Sequence, residues 1–190
     1  MTARPMLKEP TAGSSYSFEG AAAGTFQCVA FTIGDHHYCI DIMSVREIRN
    51  WTGVTELPNT AEFMRGVINL RGIIVPIIDL RSRFGQGLIE PTSSHVVVVV
   101  AIGDRLHGLL VDSVSDILTV KREDIAAIPE TAGQSQSPLL DGLITQGEQM
   151  LAIVALDRLL DSSAEAVNAA MRAAEQAPPP ESLTNSATAA

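Results

Sequence analysis

Four side chains within twelve positions could hold a metal ion: Cys28, His36, His37 and Cys39. Thiolate and imidazole are the usual ligands of Zn²⁺. The local pattern, however, reads as a hairpin that keeps them apart. Val29, Phe31 and Ile33 alternate on one face, Gly34-Asp35 is a two-residue loop signal, and Tyr38, Ile40 and Ile42 resume the alternation. In that register Phe31 opposes Tyr38. Cys28 and Cys39 become diagonal neighbours with Cα atoms roughly 7–8 Å apart, beyond the ~6.8 Å reach of a disulfide. The two adjacent histidines sit at the loop, one facing each way, so tetrahedral coordination needs a distorted turn. A structural role is the expectation, with no metal and no cofactor. His95 and His107 stand alone near strands. The sequence has no phosphate loop, nucleophile elbow or paired-carboxylate signature, and no catalysis is expected of it.

A second feature is "GVINLRGIIVPIIDL" (66–80), where Arg71 sits at the bend between two apolar runs. Asn69 at the first position and Gly72 at the fourth suit a type I turn, which puts Arg71 at a tip. In the preceding "PNTAEFMRG", Asn59 with Glu62 three residues on predicts a short capped helix that Gly66 closes. Gly66 is accordingly assigned to backbone geometry. Pro76 inside the second run implies a strand edge or a bulge.

The elements that carry these residues are repeated. At a shift of 69, Ile33-Gly34-Asp35 falls on Ile102-Gly103-Asp104, Ser44-Val45 on Ser113-Val114, and Ile48 on Ile117. At a shift of 76, Gly66, Ile68, Ile77 and Leu80 fall on Gly142, Ile144, Ile153 and Leu156. The order is kept and the offset grows by small insertions, which marks an internal duplication. The alternative, an α/β fold with Val96–Val100 as a buried parallel strand, conflicts with the clean alternation of the sister segment Tyr38–Ile42. The fold expected is mainly β: two small five-stranded barrels at about 25–88 and 92–161, pressed together along an apolar seam. Exchange of end strands between them is an open alternative. Residues 1–24 and 177–190 read as flexible arms, and "SSAEAVNAAMRAAEQ" (162–176) as an exposed helix.

Composition narrows the partners. The chain is 46% hydrophobic but only 4% aromatic, so its cores must be built from Val, Ile and Leu, and its net charge is −9. That balance disfavours nucleic acid and anionic lipid surfaces. No apolar run reaches the 18 residues of a membrane span, and the first twenty residues lack a secretory signal. Two cysteines in that setting predict a reduced, cytoplasmic environment.

Three stretches, "FTIGDHHYCIDIMSVREIR" (31–49), "GVINLRGIIVPIIDLRSRF" (66–84) and "VDSVSDILTV" (111–120), joined by "GLITQGEQMLAIVALDRLL" (142–160), resemble the CheW family of chemotaxis coupling proteins in order and spacing. The resemblance spans about 25–161 and leaves both arms outside. It implies two SH3-like barrels around a hydrophobic groove. It also implies an adaptor between the cytoplasmic tips of methyl-accepting chemotaxis receptors and the CheW-like regulatory domain of the histidine kinase CheA. Placement would be cytoplasmic, at receptor arrays on the inner face of the membrane. A regulator of another chemosensory pathway is the second reading. Carried over by motif, Val45 and Glu47 of "VREIR" and Arg71 of "NLRG" fall on the functional surface. By the internal pseudo-symmetry Ile42 and Val45 answer to Val111 and Val114, and these four are expected to line a receptor groove. A Glu47–Arg71 ion pair is expected to hold the turn, and Ile73 and Ile74 are assigned to kinase contact.

Overall fold

The structure is a computed structural model and describes residues 24–129 and 137–161, with Asn168 and Arg172. The arm expected over 1–24 (Gly24 excepted) and the helix and tail expected over 162–190 (those two residues excepted) lie outside the described residues.

Both Gly-Asp hairpins form. Strands β1 (Thr25–Ile33) and β2 (His36–Asp41) turn at Gly34-Asp35, with Phe31 opposite Tyr38. Strands β6 (Val96–Ile102) and β7 (Arg105–Val111) turn at Gly103-Asp104. Gly34 and Gly103 take φ of +58° and +55°, the left-handed conformation that such loops require. Cys28 pairs with Asp41 and Cys39 with Ala30, so the thiols are diagonal; both are free and buried. A hydrogen bond to Cys28, together with burial, pushes the Cys39 thiol well above its ordinary range.

The remaining strands are β3 (Val45–Asn50), β4 (Met64–Leu70), β5 (Ile73–Asp79), β8 (Ser113–Lys121), β9 (Ile125–Ala126), β10 (Leu140–Gln146) and β11 (Gln149–Val154). They assemble into two sheets, β8-β1-β2-β11-β10-β9 and β3-β6-β7-β5-β4. The repeats map β1-β2 onto β6-β7, β3 onto β8 and β4-β5 onto β10-β11. The two sheet orders are therefore the same arrangement, and neither sheet is made from one repeat. The opening hairpin of each half sits between the later strands of the other half. Parallel pairings, β2 with β11 and β5 with β7, mark the exchange.

In each sheet, chain that follows one edge strand pairs with a strand at the opposite side. Beyond β3, Thr55 exchanges two backbone hydrogen bonds with Val67 of β4, at 2.8 and 2.9 Å. Beyond β8, β9 pairs with β10. The mainly β, two-sheet architecture agrees with the expected paired SH3-like modules.

Two small cores lie inside the curled sheets. One holds Phe26, Cys28, Cys39, Ile144 and Ile153; the other holds Val75, Ile77, Val97, Val99 and Leu110. The largest lies between the sheets and gathers Phe31, Ile33, Ile40, Ile78, Val98, Leu109 and Val111 with Leu159 of helix α2 (Leu156–Asp161). Burial of each such side chain contributes about 1.5–3 kcal/mol, so the seam holds more apolar material than either module alone.

Three expectations are corrected. Residues 58–63 form turns rather than a helix, and Asn59 takes φ +57° instead of capping one. The chain there is drawn into sheet contacts, with the Asp79 N–H donating to the Phe63 carbonyl at 2.8 Å. Gly66 lies within β4 at a bulge, not after a helix. The bend is a two-residue loop, Arg71-Gly72, between paired Leu70 and Ile73. Its φ values of +53° and +88° match a type I′ turn, whose twist suits a hairpin, rather than type I. Pro76 fits its strand because pairing of β5 with β7 begins only at Ile77, leaving Pro76 a partner on one side alone.

His107 shares the inward face of β7 with Leu109 and Val111 and is buried, with no hydrogen-bond partner at Nδ1 among the described residues. Burial lowers its pKa, and the Arg105 charge adds to this. The unfolded chain therefore binds this proton more readily than the folded one. The stability His107 supports is complete above pH ~6.5 and declines as pH falls below it. Denaturant titrations between pH 8 and 5 should show wild type losing ground to His107→Phe on the acid side.

Candidate binding surface

The β4–β5 hairpin presents Arg71 at its tip. Gly72 N–H donates to Asn69 Oδ1 at 2.7 Å, which closes the turn from within. Arg71 Nη2 meets Glu47 Oε2 of β3 at 3.5 Å, with Arg71 84% exposed and Glu47 30%. The expected ion pair is present. It spans the two edge strands of its sheet and orients the tip. Exposed pairs of this kind contribute about 0–1 kcal/mol. Glu47→Ala should accordingly move the unfolding midpoint little, and a large loss of stability in chemical denaturation would contradict a positioning role.

Ile42, Val45 and Val114 are half-buried and pack onto the intersheet core. Ile42 lies in a 3₁₀ turn (Ile42–Ser44) that leads into β3. Val111 requires a correction. It is 0% exposed and belongs to the core itself, so it lines no open surface. The pseudo-symmetry with Ile42 assigned it to the groove; the burial follows because β7 is an interior strand, flanked by β6 and β5. Ile73 is 53% exposed, and Ile74 is half-buried.

Sequence reasoning missed the exposed apolar side chains Met43, Ile48 and Ile117. Ile48 and Ile117 had been matched by the duplication, and their alternation on edge strands could have shown them facing outward. Two polar anchors also escaped notice. Asp112 Oδ2 accepts from Gly34 N–H at 2.7 Å and from Arg81, which ties the first hairpin loop to helix α1 (Leu80–Arg83). Asp79, fully buried, caps α1 by accepting from Ser82 N–H at 3.1 Å. It also accepts from Ile89 N–H at 2.9 Å and faces Arg65 Nε at 3.2 Å. An aspartate just before a short helix is an N-cap signal that could have found it.

Among the described residues, no group of three or more His, Cys, Asp or Glu side chains is placed to hold a metal ion. The described residues thus offer half-buried Ile42, Val45 and Val114 on the intersheet core and a charged Glu47–Arg71 pair on the sheet that carries Val45.

The CheW-like domain model matches residues 27–164. The chain is 41% identical over 149 residues to a probable chemotaxis protein CheW of Rhizobium etli, covering 78% of this chain and 96% of that one. It is 46% identical over 132 residues to the chemotaxis protein CheW of Klebsiella aerogenes, covering 70% and 80%. The scaffolding protein TtCheW of Thermoanaerobacter tengcongensis superposes with a TM-score of 0.65 at 30% identity, over 71% of this chain and 87% of that one.

Proposed function

Since the chain belongs to the CheW family, we propose that it is a non-catalytic chemotaxis scaffold that couples chemoreceptor tips to the histidine kinase CheA. The observation that carries this reading is the half-buried rim of Ile42, Val45 and Val114 on the intersheet core, with the Glu47–Arg71 pair on the sheet that carries Val45. An amphipathic receptor helix would lay its apolar face along such a rim. Ile73 and Ile74, at the start of β5, are the proposed kinase contact. The working site is cytoplasmic, at receptor arrays; no helix among the described residues is long and apolar enough to cross a membrane.

Val45→Asp or Val114→Asp should abolish binding to a soluble receptor-tip fragment while the melting transition survives. Unfolding that accompanies the lost binding would reassign these residues to the core. Reconstitution with kinase and receptor fragments tests the whole reading: receptor control of autophosphorylation should require this protein. A kinase of another chemosensory pathway recovered with it would favour the second reading, a CheW-like regulator outside flagellar chemotaxis.

A further inference from the structure

The two sides of the rim are not equivalent. The repeat offset of 69 that matches Val45 with Val114 matches Met43 with Asp112. Asp112 is engaged by Gly34 and Arg81. Met43 is 64% exposed, more than any other large apolar side chain among the described residues. Its backbone is nonetheless fixed: Met43 N–H donates to Asp41 Oδ1 at 2.9 Å, which caps the 3₁₀ turn. Ile42 on one side and Val45 two residues on are packed onto the intersheet core. An adaptable thioether is thus displayed from a rigid base at the edge of the rim, and such side chains suit contact with apolar helices.

We propose that Met43 is an oxidisable anchor for the receptor helix, and that its conversion to the sulfoxide releases that partner. The inference rests on the groove reading above. In the step, the Met43 sulfur attacks an oxygen of a hydroperoxide. The S–O bond forms as the O–O bond breaks, sulfur gives up two electrons, and the departing oxygen leaves as water or alcohol with the peroxide's proton. The product is polar where an apolar group was needed. Met150, 59% exposed at the β10–β11 turn and outside the rim, is an internal control.

The test uses the full chain treated with hydrogen peroxide, peptide mass mapping, and titration against a soluble helical hairpin from a receptor tip. Oxidised wild type should bind about tenfold more weakly with an unchanged melting transition. Each variant is compared with its own untreated form: peroxide should no longer weaken binding by Met43→Leu, whereas Met150→Leu should lose affinity on oxidation as wild type does. Unaltered binding by protein carrying Met43 sulfoxide, or equal loss in oxidised Met43→Leu, would overturn the anchor while leaving the groove intact. Failure of the untreated protein to bind the hairpin would instead overturn the groove and the anchor together.

Discussion

Asp79→Ala should cost about 3–5 kcal/mol of folding free energy, the usual effect of removing one partner from a buried ion pair. The carboxylate is 0% exposed and faces Arg65 at 3.2 Å. Removing it also strips the acceptor from the N–H groups of part-buried Ser82 and buried Ile89, and the Ile89 N–H would then be buried without compensation. Ile89 is itself 1% exposed and sits in one of the three cores, so the damage reaches the segment that joins the two repeats. Urea denaturation reads the loss as a lower midpoint. Asp79→Asn keeps an acceptor oxygen and should lose less. A near-wild-type alanine variant would show that the pair is replaceable.

Gly66→Val should cost a comparable amount, about 4 kcal/mol. Gly66 holds φ +136°, and a Cβ placed there would lie 2.2 Å from the Thr55 carbonyl oxygen. That oxygen accepts the Val67 N–H at 2.9 Å in the bridge that joins the chain beyond β3 to β4. The counterpart in the other sheet, Gly142, has no such φ, and its added Cβ would first meet the side-chain Cγ2 of Ile125 at 2.6 Å. A side chain can yield where a carbonyl in a ladder cannot, so Gly142→Ala should cost about 1–2 kcal/mol. Paired thermal melts decide the ranking, and equal losses would remove the role assigned to the Thr55 bridge.

Local signals in the sequence were strong where the chain's neighbours are close in sequence. Gly34-Asp35 and Gly103-Asp104 specified both hairpins and the Phe31–Tyr38 pairing, because loop geometry and alternation are decided within a few residues. The Glu47–Arg71 pair was reached through the family motif rather than through spacing. The misses fall where distant pairing decides. Asn59 to Gly66 carries good helix-capping residues, yet Thr55–Val67 and Asp79–Phe63 hydrogen bonds draw the segment to the sheet; tertiary contacts override propensity. Val111 reads as groove lining until β6 and β5 are seen on either side of β7. Met43 could not be marked as exposed, because methionine carries no signal of which way it faces.

The traded hairpins carry a consequence for ancestry and for dissection of the chain. A lone copy of the repeat would hold the opening hairpin of one sheet and the closing strands of another, and could complete neither. Two such copies, each lending its first hairpin to its twin, would satisfy every pairing seen here without a covalent join. The stretch around residue 90 is then a splice that makes an intertwined dimer into one polypeptide. Cutting it should leave two fragments that recover structure only when refolded together.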